Sequence, residues 1–303
     1  MNRRAFLQSL AASSLAATAP AVHSLQSPPA PASGAPSQLS VMLWTVFRDL
    51  PFDQRLEKVA SAGYRNVELV GEYRNWSPTQ FAGASAARHR LGITFDATAG
   101  LAHGIGDPTD RDAFLADLRQ SLAVMETLAC PAVIALSGNV VPGLSRQAQH
   151  QSCIEGLKRA AALVEGRSIA GAPVRLLLEC IDPEENPKYF LTSAAEAIEI
   201  VRAVNHPQVQ FLYDIFHEQI AEGNLIEKLE KHIDVIGLIH IADVPGRHDP
   251  GSGEINYTNI YRKLFQLNYR RGIAMEFLPL GDPVQALIQA RQALESAWPL
   301  SNA

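Results

Sequence analysis

From Leu39 onward the chain alternates short β-branched or apolar runs with longer stretches whose apolar residues recur three and four apart, and it does so eight times. Continuous apolar runs read as strands buried on both faces, and the three-and-four spacing reads as amphipathic helix. A strand followed by a helix long enough to cross back makes a parallel sheet. The strand candidates are Ser40–Thr45, Asn66–Val70, Ile93–Thr98, Ala132–Leu136, Arg175–Ile181, Val209–Asp214, Val235–Ala242 and Ile273–Leu278. The helical patterns are Asp53–Ala62, Thr79–Leu91, Arg111–Leu128, Ser145–Glu165, Ala194–Val204, Leu225–Ile233, Tyr257–Gln266 and Pro283–Trp298, with caps such as Ser77-Pro78 and Thr192-Ser193. Eight units in a stretch near the about 250 residues such a fold takes predict an α/β protein, a single-domain (β/α)8 TIM barrel over residues 39–303. A doubly wound open sheet fits less well, because no GxGxxG follows the first run.

The residues before the first run belong to no such unit. Arg3-Arg4 precedes a small-residue apolar run, Leu7 to Ala17, and an Ala19-Pro20-Ala21 site, an arrangement that resembles a twin-arginine export signal over residues 1–23. Residues 24–38, rich in Pro, Ser and Ala and without periodicity, are predicted to be a linker. The expected location is the periplasm or the exterior, with no membrane span, since the apolar run is shorter than the about 20 residues a bilayer needs.

Composition narrows the partners. Lys+Arg 26 against Asp+Glu 31 leaves a net charge of -5, so no nucleic-acid partner is expected. Charged residues at 19% and hydrophobic ones at 47% indicate a globular core rather than disorder. The three cysteines, Cys130, Cys153 and Cys180, show no CxxC or Cys/His zinc spacing. The expected partner is a small molecule, a sugar or a hydroxy-keto acid, and the sequence leaves room for a homo-oligomer.

In a barrel of this kind chemistry collects at the C-terminal ends of the strands, and four runs end on polar residues there. Glu179 ends the fifth, Asp214 the sixth, His240 the seventh and Glu276 the eighth. Coming from four consecutive strands, about one unit apart, they are expected to meet at one rim of the mouth. Singly none carries weight, because an acid at a strand end is as often a helix cap or an ion-pair partner. Together they do, because three carboxylates cannot sit close without a cation or shared protons. Three oxygens and an imidazole suit a divalent metal ion, Mn²⁺ or Mg²⁺ first, with Co²⁺ or Zn²⁺ also compatible. His217, Arg247, Glu68 and Trp44 surround this set in sequence. Glu68 is placed to meet substrate hydroxyls and Trp44 to supply an apolar wall, against the ordinary alternatives of a salt bridge, a cap or core packing.

The segments Leu177-Leu-Glu179-Cys-Ile-Asp-Pro-Glu-Glu-Asn186-Pro-Lys-Tyr-Phe190, Tyr213-Asp-Ile-Phe-His217, His240-Ile-Ala-Asp-Val-Pro-Gly-Arg247, Gly253-Glu-Ile-Asn256 and Met275-Glu276-Phe resemble the hydroxypyruvate isomerase family, within the xylose isomerase-like TIM barrels that also include ketose 3-epimerases. The resemblance is dense from about Leu176 to Asp282 and thinner before it. It implies that Glu179, Asp214, His240 and Glu276 bind the metal, that Glu179 and Glu276 also form the acid/base pair, and that His217 and Arg247 hold substrate oxygens. The chain departs from the pattern where it carries His240 instead of the glutamine of many cytoplasmic members, Cys180 instead of proline, and no histidine at the end of the third run.

The implied reaction is isomerisation of an α-hydroxy carbonyl compound through a cis-enediolate, as from hydroxypyruvate to tartronate semialdehyde. Alternatives with the same ligands are ketose 3-epimerisation, and elimination or hydrolysis of a 3-keto-glycoside by an exported enzyme. A non-catalytic sugar-binding barrel is the alternative of another class, and the intact Glu179 and Glu276 speak against it.

Overall fold

The computed structural model describes residues 38–297. The export-signal expectation over 1–23 and nearly all of the linker lie outside the described residues; Gln38, placed in the linker, is the first residue of the first strand. The barrel strands are β1 (Gln38–Met42), β2 (Asn66–Val70), β3 (Thr94–Ala99), β4 (Ala132–Leu136), β7 (Arg175–Glu179), β8 (Val209–Asp214), β9 (Ile236–Ile241) and β10 (Gly272–Met275), while β5 (Ser168–Ile169) and β6 (Ala172–Pro173) form a small antiparallel ribbon. The helices are α1 (Phe52–Ser61), α2 (Pro78–Leu91), α3 (Arg111–Leu128), α4 (Arg146–Val164), α5 (Ala194–Val204), α6 (Ile215–Ala221), α7 (Leu225–His232), α8 (Tyr257–Gln266) and α9 (Pro283–Ala297). Each barrel strand pairs in parallel with its neighbours, and the sheet closes where β1 meets both β10 and β2. The expected (β/α)8 barrel is therefore observed.

Two apolar clusters divide the interior. One fills the space between sheet and helices; the smaller one, Met42, Ala97, Ala132, Ile134, Leu177, Leu212, Leu238 and Ala274, fills the barrel itself. Because side chains alternate along a strand, the residue two positions past an interior one also faces inward. Leu177 is followed in this way by Glu179, Leu212 by Asp214, Leu238 by His240 and Ala274 by Glu276. The same period that packs the barrel aims the four candidate ligands into its mouth.

The helix ends follow the expected cap chemistry. Ser77 caps α2 through a reciprocal bond with Gln80, and the Ser193 hydroxyl accepts from the Glu196 amide at the start of α5. Four strands stop short of their expected ends, and the first and last do so by three residues because other groups take their backbone. Beyond Met42 the chain turns into a short 3₁₀ segment, Leu43–Thr45, where the Arg55 guanidinium and the Thr45 hydroxyl bond to the Leu43 and Met42 carbonyls. Beyond Met275 the Leu278 amide bonds to the Arg247 carbonyl at 2.7 Å, tying the last strand's exit to the loop after β9. Among the described residues no helix is long and apolar enough to cross a membrane.

Candidate metal and active site

Glu179 and Asp214 are the last residues of β7 and β8, His240 is the penultimate residue of β9, and Glu276 follows β10 with its amide still bonded to the Ile241 carbonyl at 3.0 Å. All four are buried, and one donor atom of each lies within 4.8 Å of the others. Asp214 divides its carboxylate between two tasks. Its Oδ1 accepts from the Phe216 amide at 2.9 Å and caps α6, and its Oδ2 faces the site. The ordinary reading of an acid at a strand end, a helix cap, is thus true of Asp214 together with the site reading.

The electrostatics are those of a cation site. His240 Nδ1 lies 2.5 Å from Glu276 Oε2 and 4.0 Å from Glu179 Oε1. Neither Nδ1 nor Glu276 Oε2 has an aligned hydrogen bond, so two buried polar atoms point at the centre of the cluster without one. Burial, reinforced by the charge of Glu276, pushes the Glu179 carboxyl up to about 7. Burial acts on Glu276 in the same direction, but the Arg247 guanidinium and His240 overcome it and hold that carboxyl well below the usual carboxylate range. Facing acids driven to opposite protonation states are the arrangement that acid/base chemistry needs. Three carboxylates and an imidazole with orphaned atoms facing one point fit a divalent ion.

His217 and Arg247 form the wall beside this cluster. The Arg247 guanidinium donates from Nε to the Glu276 carbonyl, from Nη2 to Asp214 Oδ2 at 3.0 Å, and from Nη1 to both oxygens of Glu185 at 3.2 Å; Nη2 also lies 2.8 Å from Glu276 Oε2. It sits over the rings of Phe216 and Trp44. His217 Nδ1 is 2.6 Å from Asp182 Oδ2, and its Nε2 faces Arg247 Nη1 at 3.1 Å. Burial works against the His217 cation, yet Asp214 and Asp182 outweigh it and raise the imidazole to about 9. Trp44, expected as an apolar wall, also donates from Nε1 to Glu276 Oε1 at 2.7 Å. Glu68 is fully buried inside the barrel, with Oε2 2.9 Å from Nε2 of His240.

Sequence reasoning missed Asp182, Glu185 and Asp243. Asp182 accepts from the Glu184 and Glu185 amides and so shapes the turn that brings Glu185 to Arg247. Asp243 is fully buried, its Oδ1 accepting from the amides of Val244 and Ile255 and its Oδ2 from that of Gly251. It folds the loop after β9 onto itself, which places Arg247, at a left-handed φ of 58°, over the cluster. An Asp-Pro-Glu-Glu run is an available turn signal for the first pair. Asp243 has no comparable signal, because its partners are backbone amides up to twelve residues away.

A family model described as a xylose isomerase-like TIM barrel matches residues 56–296. A putative hydroxypyruvate isomerase from Danio rerio is 32% identical over 82% of this chain and 92% of its own length. A 2-oxo-tetronate isomerase from Pectobacterium atrosepticum is 31% identical over 82% of this chain and 95% of its own length. Among solved structures, one titled AP endonuclease, family 2, from Brucella melitensis superposes with a TM-score of 0.75 at 26% identity, covering 84% of this chain and 98% of the other.

Proposed function

The chain belongs to the xylose isomerase-like TIM barrels, and from that premise we propose that it is a metal-dependent isomerase of a small α-hydroxy carbonyl compound, most like hydroxypyruvate isomerase. The relatives above bear the names putative hydroxypyruvate isomerase and 2-oxo-tetronate isomerase, and both names point to a short oxo acid. The observation that carries the reading is the buried convergence of Glu179, Asp214, His240 and Glu276 at consecutive strand ends.

In this reading those four residues hold a divalent ion, Mn²⁺ or Mg²⁺ first. When bound, the ion supplies a Lewis acid that stabilises negative charge developing on the substrate's two oxygens. Glu179 and Glu276 flank the reacting carbons. Without the ion, Arg247 and His240 hold Glu276 ionised while burial and the charge of Glu276 push Glu179 up; ligation of a carboxylate to a cation lowers its basicity. One carboxylate of the pair takes the proton beside the carbonyl, the hydroxyl proton passes to the former carbonyl oxygen, and either that acid or its partner returns a proton to the adjacent carbon. Arg247 and His217 hold substrate oxygens, the guanidinium offering the paired, permanently charged donors that a carboxylate matches. Phe216 and Trp44 cover the guanidinium and keep water from it. Return of the proton to the same carbon on the opposite face would be epimerisation, which needs no different ligands.

The test is incubation of metal-loaded protein with hydroxypyruvate, a panel of ketoses and 3-keto-glycosides in D₂O. The reading expects deuterium at carbon with net conversion of hydroxypyruvate, loss of exchange in Glu179→Gln and Glu276→Gln, and loss on chelation. Conversion of ketoses alone would favour the epimerase alternative, and full exchange in a chelated, metal-free sample would remove the ion from the mechanism. We also propose that Arg3-Arg4 directs export. Replacing both by lysine is then expected to leave precursor inside the cell, and unchanged secretion would end that proposal.

A further inference from the structure

Glu68 and His240 face each other across four neighbouring strands, in the order β2, β1, β10, β9. The residues of the intervening strands that lie in register with His240 are Ala274 and, beside it, Ser40, both small. That pair leaves room over the sheet for the glutamate and the imidazole to meet. They do so at 2.9 Å between Oε2 and Nε2, with both residues fully buried. The second oxygen of Glu68 has no hydrogen-bond partner, so its carboxylate is committed to one contact, the imidazole. Ser40 turns its own hydroxyl away to Asp96 Oδ1 at 2.8 Å and does not compete for the glutamate.

We propose that Glu68 is a positioning residue: it accepts the Nε2 proton of His240 and thereby fixes the ring's orientation and tautomer so that Nδ1 presents its lone pair to the metal. A ring that donates one nitrogen to a carboxylate can ligate only through the other, and its basicity as a ligand rises. The contacts at Nδ1 agree with this division, since that atom faces Glu276 and Glu179 without an aligned bond. Glu68 therefore acts behind the histidine, through it, on how tightly the ion is held. The inference rests on the metal-site reading above and gives Glu68 a different task from contact with substrate hydroxyls.

Its test is a titration of chelated, purified protein with Mn²⁺ and Co²⁺ by calorimetry or competition with a coloured chelator. The variants are Glu68→Ala, Glu68→Gln, His240→Ala and the double variant Glu68→Ala/His240→Ala, with thermal unfolding of the metal-free forms as a check of folding. Glu68→Ala is expected to weaken metal affinity by about tenfold to a hundredfold. Glu68→Gln, whose amide oxygen still accepts from Nε2, should recover part of that loss, with the KM for substrate at saturating metal unchanged. In the His240→Ala background Glu68→Ala should cost nothing further, the non-additivity expected of two residues acting in series. If Glu68→Ala unfolds, the comparison of Glu68→Gln with wild type in the two His240 backgrounds decides the matter. A folded Glu68→Ala protein with wild-type affinity, full additivity in the cycle, or a raised KM at saturating metal would each overturn the inference. Failure of the wild type itself to bind metal would instead overturn the metal-site reading, so the two failures are distinguishable.

Discussion

Arg247 has no idle edge: one side of its guanidinium is shared by Asp214 and Glu276, the other by Glu185 and His217. Of these partners only Glu185 is substantially exposed, on a side chain 42% accessible. A substrate carboxylate that takes up the Nη1 edge therefore displaces Glu185, and the two compete for one fork of donors. Half-exposed ion pairs contribute about 0.2 to 1 kcal/mol, so Glu185→Gln is expected to lower KM for hydroxypyruvate by up to about fivefold. The KM for a neutral ketose should not move. Arg247→Lys removes the paired donors, and a lost charged hydrogen bond of about 1.5 to 3 kcal/mol corresponds to a KM raised about tenfold to a hundredfold for the carboxylate substrate. Steady-state kinetics on both substrate classes checks both variants. An equal loss on both classes in Arg247→Lys would mean that the side chain organises the loop or a sugar hydroxyl.

At the scale of elements, the loop after β9 shows how backbone crowding reaches the site. A Cβ on Gly253 would stand 2.0 Å from the Val244 carbonyl oxygen and 2.7 Å from the Asp243 carboxylate. Both atoms belong to the turn that Asp243 ties together, and neither can swing aside as a flexible side chain would. Gly253→Ala is expected to cost about 1 to 3 kcal/mol of stability and to lower kcat by moving Arg247, a pairing that thermal unfolding and kinetics measure together. Such close approaches are what the sequence does not announce. The eight strand runs, and the acid or imidazole at the end of four of them, are readable, because burial on both faces leaves a continuous apolar run that a polar residue interrupts. Asn66–Val70, Ala132–Leu136 and Val209–Asp214 match the observed strands to the residue. Helix α6 was not readable, since its seven residues are too few to display a helical period and begin inside the Asp-Ile-Phe-His motif. Nor was the partnership of Glu68 with His240, which depends on strand register across the closed barrel rather than on anything adjacent in the chain.

For the molecule as a whole, the buried acids make stability depend on pH, and Glu218, which is not one of the four clustered ligands, carries one part of that dependence. It lies one turn along α6, almost fully buried, and burial pushes its carboxyl up to about 7 even though Lys228 Nζ, 3.1 Å away, pulls the other way. In the unfolded chain the same acid releases its proton near the ordinary glutamate value of about 4.3. Between those two values the folded protein holds a proton that the unfolded chain has lost, so the contribution of Glu218 to stability is complete below the unfolded value. It is lost as pH rises through 7. At 1.36 kcal/mol per unit the full swing is about 4 kcal/mol, of which about 3 kcal/mol falls between pH 5 and pH 8, an upper bound since the site can relax. Glu218→Gln carries no titrating proton. Relative to wild type it is therefore expected to gain stability between pH 5 and pH 8 by up to that amount, whatever its offset at pH 5 from the altered contact with Lys228. Urea unfolding of both proteins in chelator, at pH 5 and pH 8, measures the difference directly. Curves that shift in parallel between the two pH values would show that Glu218 is ionised in the folded protein throughout that range and that Lys228 outweighs its burial.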